Sequence, residues 1–165
     1  MGGKKFTSAE AQLRPDPRYN DLQLSRFINC VMKQGKKSVA QRCVYDCFAI
    51  IQGKLGKETS PDAPKEAIEV FRMAIDNVKP FVEVRSKRIG GANYQVPMPV
   101  NRKRQQSLAF RWILESVRGE KGRPMAAKLA DELYNAARKE GKAMMTRDQT
   151  HRMAEANRAF AHFAN

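Results

Sequence analysis

A basic segment with its own turn lies at residues 85–104, RSKRIGGANYQVPMPVNRKR. It contains no Asp or Glu, and its cations flank a Gly-Gly pair: Arg85, Lys87, Arg88, Arg102, Lys103 and Arg104. An arginine fork can bind two phosphate oxygens at once, and a two-stranded ribbon can reach into a groove or between strands. The segment therefore predicts contact with a polyanion. The alternative is a solvated strand edge that charge protects from aggregation.

A second basic surface is predicted on the helix that follows this segment. Arg104, Arg111 and Arg118 are seven residues apart and share one helix face, while Trp112 lies on the opposite side. Other cations occupy two turns and an N-terminal arm: Lys36, Lys37, Lys121, Arg123, Lys4 and Lys5. A helix start favours anions, and the arm could run along a nucleic-acid backbone, so we predict phosphate contacts at these positions. Ordinary solvated faces and a disordered arm are the alternatives.

The remaining reactive side chains predict little chemistry. Cys43 and Cys47 are four residues apart, but both fall on an apolar stripe and no further ligand is near in sequence. We predict buried structural cysteines, no metal and no cofactor. His151 and His162 have no nucleophile or carboxylate at a spacing typical of a catalytic site. A Cys–His enzyme using Cys47 or His151 is therefore a minor alternative.

Composition narrows the classes of partner. The 165 residues carry a formal net charge of +14, and 42% of them are hydrophobic. The charge favours a nucleic acid or an anionic surface as partner, and the apolar fraction favours a folded domain. No apolar run approaches the ~20 residues that span a bilayer, and the first residues lack a secretory signal. We therefore expect a cytoplasmic protein with no membrane partner that does not form homo-oligomers.

The periodicity of apolar residues predicts the elements that position these cations. Residues 1–18 are expected to form a basic extended arm, and residues 19–165 one mainly α domain of six helices. The first helix is predicted at 21–33. The second is predicted to start with a capping box of Ser38 and Gln41. Its expected buried stripe is Val39, Cys43, Cys47, Ile50 and Ile51.

The later helices follow the same rule. Pro64 stands near the start of the third, and Pro80 ends it. The sixth is predicted at 147–163, with an expected buried set of Met153, Ala156, Phe160 and Phe163.

Between the third and fourth helices the pattern changes to period two, which predicts a protruding two-stranded β-hairpin at 81–100. Gly90 and Gly91 supply the positive φ angles of a tight reversal. Pro97 and Pro99 are two residues apart, so both missing N–H donors can lie on the unpaired side of the ribbon.

Four motifs carry a resemblance to a known family: PDPRYND at 15–21, FINCVMKQGKKSVA at 27–40, NVKPFVEVRSKRIGGANYQVPMPV at 77–100 and HRMAEANRAFAHF at 151–163. In this order they resemble the S-seven family of small-subunit ribosomal proteins. The resemblance implies six helices with a ribbon between the third and fourth. It places these ribbon residues in an RNA-contacting arm: Arg85, Lys87, Arg88, Gly90, Gly91, Asn93 and Tyr94. It also places Lys36 and Lys37 in the family's basic turn.

The resemblance further implies a primary ribosomal RNA-binding protein that nucleates assembly of the subunit head. Such a protein lies at the subunit interface near the decoding region and contacts exit-site transfer RNA. Neighbouring head and platform proteins, including the eleventh small-subunit protein, are implied partners. The chain departs from the family pattern at both ends and in the acidic loop at 56–65.

The sequence leaves several points open. A DNA-architectural protein that uses the ribbon as a minor-groove wedge is the main alternative. The sequence does not identify the nucleotides contacted or show whether the protein represses its own message. It does not distinguish a bacterial from an organellar ribosome.

Overall fold

Apolar residues at helical spacing bury one face of most of the helices in this chain. The computed structural model describes residues 12–56 and 64–164. These contain α1 (Leu22–Val31), α2 (Lys37–Leu55), α3 (Ala67–Val78), β1 (Val82–Ile89), β2 (Ala92–Pro99), α4 (Arg102–Gly119), α5 (Met125–Ala137), α6 (Lys142–Ala156) and a 3-10 helix (Arg158–Ala164). The predicted six-helix, mainly α fold with a hairpin between the third and fourth helices is confirmed, with the short 3-10 helix in addition.

Aromatic side chains join the first four helices at the centre of the core. The ring of Phe71 on α3 lies 5.3 Å from Phe27 on α1 and 5.9 Å from Phe48 on α2, centroid to centroid. Phe27 also packs edge-on against Phe110 of α4 at 5.2 Å. Because all four rings are buried, this cluster fixes α4 relative to α1, α2 and α3.

The segment before α1 is held by one buried carboxylate. Asp16 is 2% exposed; its Oδ2 accepts hydrogen bonds from the backbone N–H groups of Arg18 and Tyr19, both at 3.1 Å. The Tyr45 hydroxyl of α2 donates to Asp16 Oδ1 at 2.7 Å. These bonds attach the end of the predicted N-terminal arm to α2. Residues 1–11 of that arm lie outside the described residues.

The predicted start and buried face of α2 are partly wrong. Lys36 precedes the helix without a side-chain cap bond, so Ser38 and Gln41 form no capping box. Val39 and Ile50 are exposed, and the face that packs inward consists of Ala40, Val44, Cys47, Phe48, Ile51 and Leu55. Apolar residues surround much of this helix, so periodicity alone does not select a face. The packing of Phe48 against Phe71 selects it.

The C-terminal helix also differs from its prediction. The α-helix begins at Lys142 and ends at Ala156, and Met153 and Ala156 are exposed. Asn157 is the C-cap residue, and its side-chain amide donates to the Met153 carbonyl at 2.8 Å. Phe160 and Phe163 belong to the 3-10 helix and are half-buried. Spaced three apart, they fall on one side of the tighter helix.

The ribbon formed by β1 and β2 is antiparallel, and within the described residues it is the whole sheet. Its register pairs Val82 with Pro99 and Ile89 with Ala92. Gly90 and Gly91 form the two-residue turn with φ of 56° and 89°, which matches a type I′ reversal. The Val100 N–H donates to the Phe81 carbonyl at 3.0 Å. Since the pairs alternate, Pro97 and Pro99 fall at positions whose backbone N points away from the ladder, as predicted.

Candidate nucleic-acid interface

The register gives the ribbon two different faces. Glu83, Arg85 and Lys87 lie opposite Met98, Val96 and Tyr94, so these six residues share one face. Glu83 and Val96 are buried, which shows that this face is turned toward the helices. Toward the turn, the other face carries Ser86, Arg88, Asn93 and Gln95, all of them exposed. Of the predicted ribbon cations before the turn, only Arg88 lies on the outer face.

Tyr94 connects the inner face to the 3-10 helix. Its ring lies 5.2 Å from Phe160 and 5.3 Å from Phe163. The ammonium group of Lys87 donates a hydrogen bond to the Phe163 carbonyl at 2.7 Å. These contacts brace the ribbon along one side, and they make Tyr94 a packing residue.

Phe81, just before β1, and His151 link the ribbon to α6. The Phe81 N–H donates to His151 Nε2 at 3.2 Å, so this ring nitrogen is the unprotonated one. The two rings are stacked 6.0 Å apart, and Phe81 is 73% exposed. Burial and the charge of Arg147 lower the pKa of His151, although Asp148 opposes this, so the neutral imidazole that accepts the bond is favoured.

Glu83 lies at the joint between the ribbon and α4. Its Oε1 accepts from Arg85 Nε at 2.7 Å, and its Oε2 accepts from Arg104 Nε at 3.1 Å and Nη2 at 3.0 Å. Burial acts to raise the pKa of Glu83, but the hydrogen bonds and charges of the two arginines outweigh it, and the pKa is lowered. Two predicted RNA-binding arginines are therefore held by an acid that lies two residues before the basic segment.

The three arginines predicted on one face of α4 differ in their surroundings. Arg104 is bound to Glu83, and Arg118 Nη2 donates to the Cys30 carbonyl at the end of α1, at 3.1 Å. Arg111 is exposed and makes no hydrogen bond or ion pair with the described residues. Arg102 and Lys103 are exposed in the first turn, where Asn101 caps the helix by accepting from the Arg104 N–H at 2.9 Å.

The basic turn before α2 lies beside the end of α4. Lys36 and Arg118 line the same groove of about 350 Å³, together with Lys33, Val39 and Met125. Lys37 is exposed as the first residue of α2. The fold thus brings two predicted RNA-binding sites, far apart in sequence, onto one surface.

Arg123 is engaged within the protein. Its guanidinium pairs with Glu120 at 2.6 Å and with Asp131 at 2.5 Å, and Lys54 also pairs with Asp131. Its neighbour Lys121 is exposed. The predicted contacts of Lys4 and Lys5, and most of the acidic loop at 56–65, lie outside the described residues.

The prediction of buried structural cysteines is confirmed for Cys47 and is wrong for Cys43, which is only partly covered. Cys47 is fully buried, and burial strongly raises the pKa of its thiol. Cys43 is half-buried and Cys30 is exposed. Within residues 12–56 and 64–164, no group of three or more His, Cys, Asp or Glu side chains could hold a metal ion. In the same residues, no helix combines the length and apolarity needed to cross a bilayer.

Two contacts of this surface were not predicted from the sequence. The role of Glu83 was missed because its partner Arg104 is 21 residues away in the chain. The alternation of β1 did place Glu83, Arg85 and Lys87 on one face, and this was the available signal. The contact of His151 with Phe81 had no such signal, because the two residues are 70 positions apart.

Comparison with known proteins identifies the family. A family model described as "Ribosomal protein S7p/S5e" matches residues 3–158. The chain is 57% identical over 160 residues to the small ribosomal subunit protein uS7 of Rhodopirellula baltica, covering 97% of this chain and 98% of the relative. It is 51% identical to the protein of the same name from Salinibacter ruber, with 91% of each chain covered, and 50% identical to that from Thermotoga maritima, with 97% and 98% covered.

The chain belongs to this family of ribosomal proteins. It is therefore a structural, non-enzymatic protein of the small ribosomal subunit, as the resemblance implied.

Proposed function

We propose that this protein binds small-subunit ribosomal RNA directly and nucleates assembly of the subunit head. In this proposal it lies at the subunit interface near the decoding region, where the outer face of the ribbon contacts exit-site transfer RNA. Neighbouring head and platform proteins, including the eleventh small-subunit protein, pack around it.

The observation that supports this proposal best is a set of exposed cations without an acidic partner among the described residues: Lys36, Lys37, Arg88, Arg102, Arg111 and Lys121. They occupy the ribbon tip, α4, the start of α2 and the turn between α4 and α5. Phosphate contacts supply most of the affinity, and the folded shape of an RNA junction supplies the specificity, because the A-form major groove is too narrow for side chains to read.

The structure indicates which cations to replace. Arg88→Gln, Arg102→Gln and Arg111→Gln remove three charges without breaking a hydrogen bond to the described residues. The triple variant should keep the helical fold and bind small-subunit ribosomal RNA more weakly. The plot of log affinity against log salt has a negative slope, and its magnitude should decrease by about one for each phosphate that the variant no longer neutralises. Filter binding at several KCl concentrations measures both quantities.

A matched control removes the same charge from another surface. Lys65→Gln, Lys139→Gln and Arg152→Gln change exposed residues before α3, at the end of α5 and on α6, outside the proposed interface. An equal decrease of the slope in both triple variants would mean that net charge, and not this surface, determines binding.

Competition separates RNA recognition from general affinity for nucleic acids. Duplex DNA at equal concentration and salt should fail to displace the ribosomal RNA. Efficient displacement would favour the DNA-architectural alternative.

A further inference from the structure

Glu83 is the buried carboxylate at the joint between β1 and α4, and it is 8% exposed. Both of its oxygens accept from guanidinium groups, one from Arg85 on the same strand and one from Arg104 on α4. The ion pairs are asymmetric in exposure: the acid side chain is 10% exposed, whereas Arg85 is 54% and Arg104 37% exposed. The two arginines thus cover the acid and present their own outer edges to solvent.

Each guanidinium keeps donors for a ligand. Arginine carries five N–H groups in a planar fork. Arg104 uses Nε and Nη2 on Glu83, and Arg85 uses the same two nitrogens. The Nη1 groups and the outer N–H of each Nη2 remain, and they suit the oxygens of a phosphate.

We propose that Glu83 is a positioning residue for RNA binding. It holds Arg85 and Arg104 side by side, so that their outer edges engage one stretch of RNA backbone where the ribbon meets α4. This inference rests on the proposed function. It assigns a role in RNA binding to an acidic side chain, although RNA is itself negatively charged.

The electrostatics of the cluster allow this arrangement. Two arginines and one carboxylate leave a net positive charge, and the carboxylate is the innermost of the three groups. Because Glu83 fixes both long side chains before RNA arrives, less side-chain entropy is lost on binding. The position of α4 is also tied to that of the ribbon, since one acid bonds to both.

Replacing Glu83 by Gln distinguishes an effect on the positions of Arg85 and Arg104 from an effect of net charge on RNA binding. Glu83→Gln makes the protein more positive, so a purely electrostatic effect would tighten binding to RNA. A positioning role gives the opposite sign: we expect about 10-fold weaker binding to intact small-subunit ribosomal RNA. Glu115→Gln is the matched control, because Glu115 is an exposed residue of α4 whose change adds the same charge. It should bind as tightly as the unchanged protein or slightly more tightly.

A double-mutant cycle distinguishes positioning from a loss of fold. The change Glu83→Gln is repeated in a protein that also carries Arg85→Gln and Arg104→Gln, where nothing remains to be positioned. The 10-fold effect should disappear there. If it persists, Glu83 acts through the fold and the inference is wrong. If Glu83→Gln fails to fold, Glu83→Asp, which keeps the charge but shortens the reach, takes its place in the cycle.

The same measurements distinguish failure of this inference from failure of the proposed function. Unchanged or tighter binding by Glu83→Gln, with preference for ribosomal RNA retained, overturns only the role of Glu83. If the unchanged protein shows no preference for ribosomal RNA over duplex DNA, the proposed function fails, and the inference fails with it.

Discussion

Asp21 joins two helices through a single side chain. Its Oδ1 accepts from the Leu24 N–H at 2.9 Å and caps α1, while its Oδ2 accepts from Arg72 of α3, at 3.0 Å from Nε and 2.7 Å from Nη2. Burial acts to raise the pKa of Asp21, but these bonds and the charge of Arg72 outweigh it, so the pKa is lowered. The carboxylate is therefore stabilised in its charged form by the folded state.

Two substitutions separate the cap from the ion pair. Asp21→Ala removes both and should lower the free energy of unfolding by about 2–3 kcal/mol, whereas Asp21→Asn keeps a capping oxygen and should cost less. Urea unfolding at pH 7 measures the difference. Equal losses in the two variants would mean that the cap contributes nothing.

The pH dependence gives a second check on the ion pair. A lowered pKa contributes stability that is present above the unfolded value near 3.8 and is lost as pH falls through the folded pKa. The stability advantage of the unchanged protein over Asp21→Asn should therefore shrink on acidification below about pH 4. An advantage that grows as the pH is lowered from 7 would contradict this.

At the scale of elements, the ribbon depends on the 3-10 helix for its inner packing. Tyr94→Ala removes two aromatic contacts, each worth about 0.5–1.5 kcal/mol beyond the area buried. Amide hydrogen exchange in β1 and β2 should accelerate by about 10- to 100-fold, since 1.4 kcal/mol corresponds to a factor of ten. The core amides of α3 should change little.

Asn93 provides the matched control for this change. It neighbours Tyr94 in β2 but lies on the outer face, exposed. Asn93→Ala should leave exchange in the ribbon nearly unchanged. Similar acceleration in both variants would show that the 3-10 helix does not brace the ribbon.

Elements with one strongly apolar face could be predicted from the sequence. The end of α3 before Pro80 and the Gly90-Gly91 turn were correct because local rules determine them: a proline that cannot continue the helix and a pair of residues that tolerate positive φ. The positions of Val39 and Ile50 on the buried face of α2, and of Phe160 and Phe163 in the sixth α-helix, were wrong because tertiary partners decide them. Phe48 turns α2 toward Phe71, and Tyr94 provides the surface for the two phenylalanines.

The candidate site shows the same division. The local concentration of Lys and Arg in the sequence predicted the basic surfaces. The seven-residue spacing correctly placed Arg104, Arg111 and Arg118 on one helix. It could not show that Arg104 and Arg118 bond to other parts of the protein while Arg111 stays exposed, because those contacts depend on how α4 crosses the ribbon and α1.

At the scale of the whole molecule, a net charge of +14 repels itself in the absence of a polyanion. Salt screens this repulsion over a distance that falls from about 10 Å at 0.1 M to about 3 Å at 1 M. We therefore expect the melting temperature of the isolated protein to rise by a few degrees between about 0.05 and 0.5 M KCl. Differential scanning fluorimetry measures the shift.

The variant with Arg88, Arg102 and Arg111 replaced by Gln is the comparison for this prediction. It carries three fewer positive charges, so its melting temperature should rise less with KCl. A melting temperature that falls with salt in the unchanged protein would show that internal ion pairs such as Glu83–Arg104 outweigh the net repulsion.

The bond between Lys87 and the Phe163 carbonyl joins residues 76 positions apart in the chain. During synthesis the ribbon therefore leaves the ribosome well before the segment that covers its inner face. At 5–20 residues per second this interval is roughly 4–15 s. For those seconds Tyr94 lacks its aromatic partners, and a ribbon of only two strands is marginally stable by itself. The order of synthesis thus makes this basic arm one of the last parts of the protein to reach its final position.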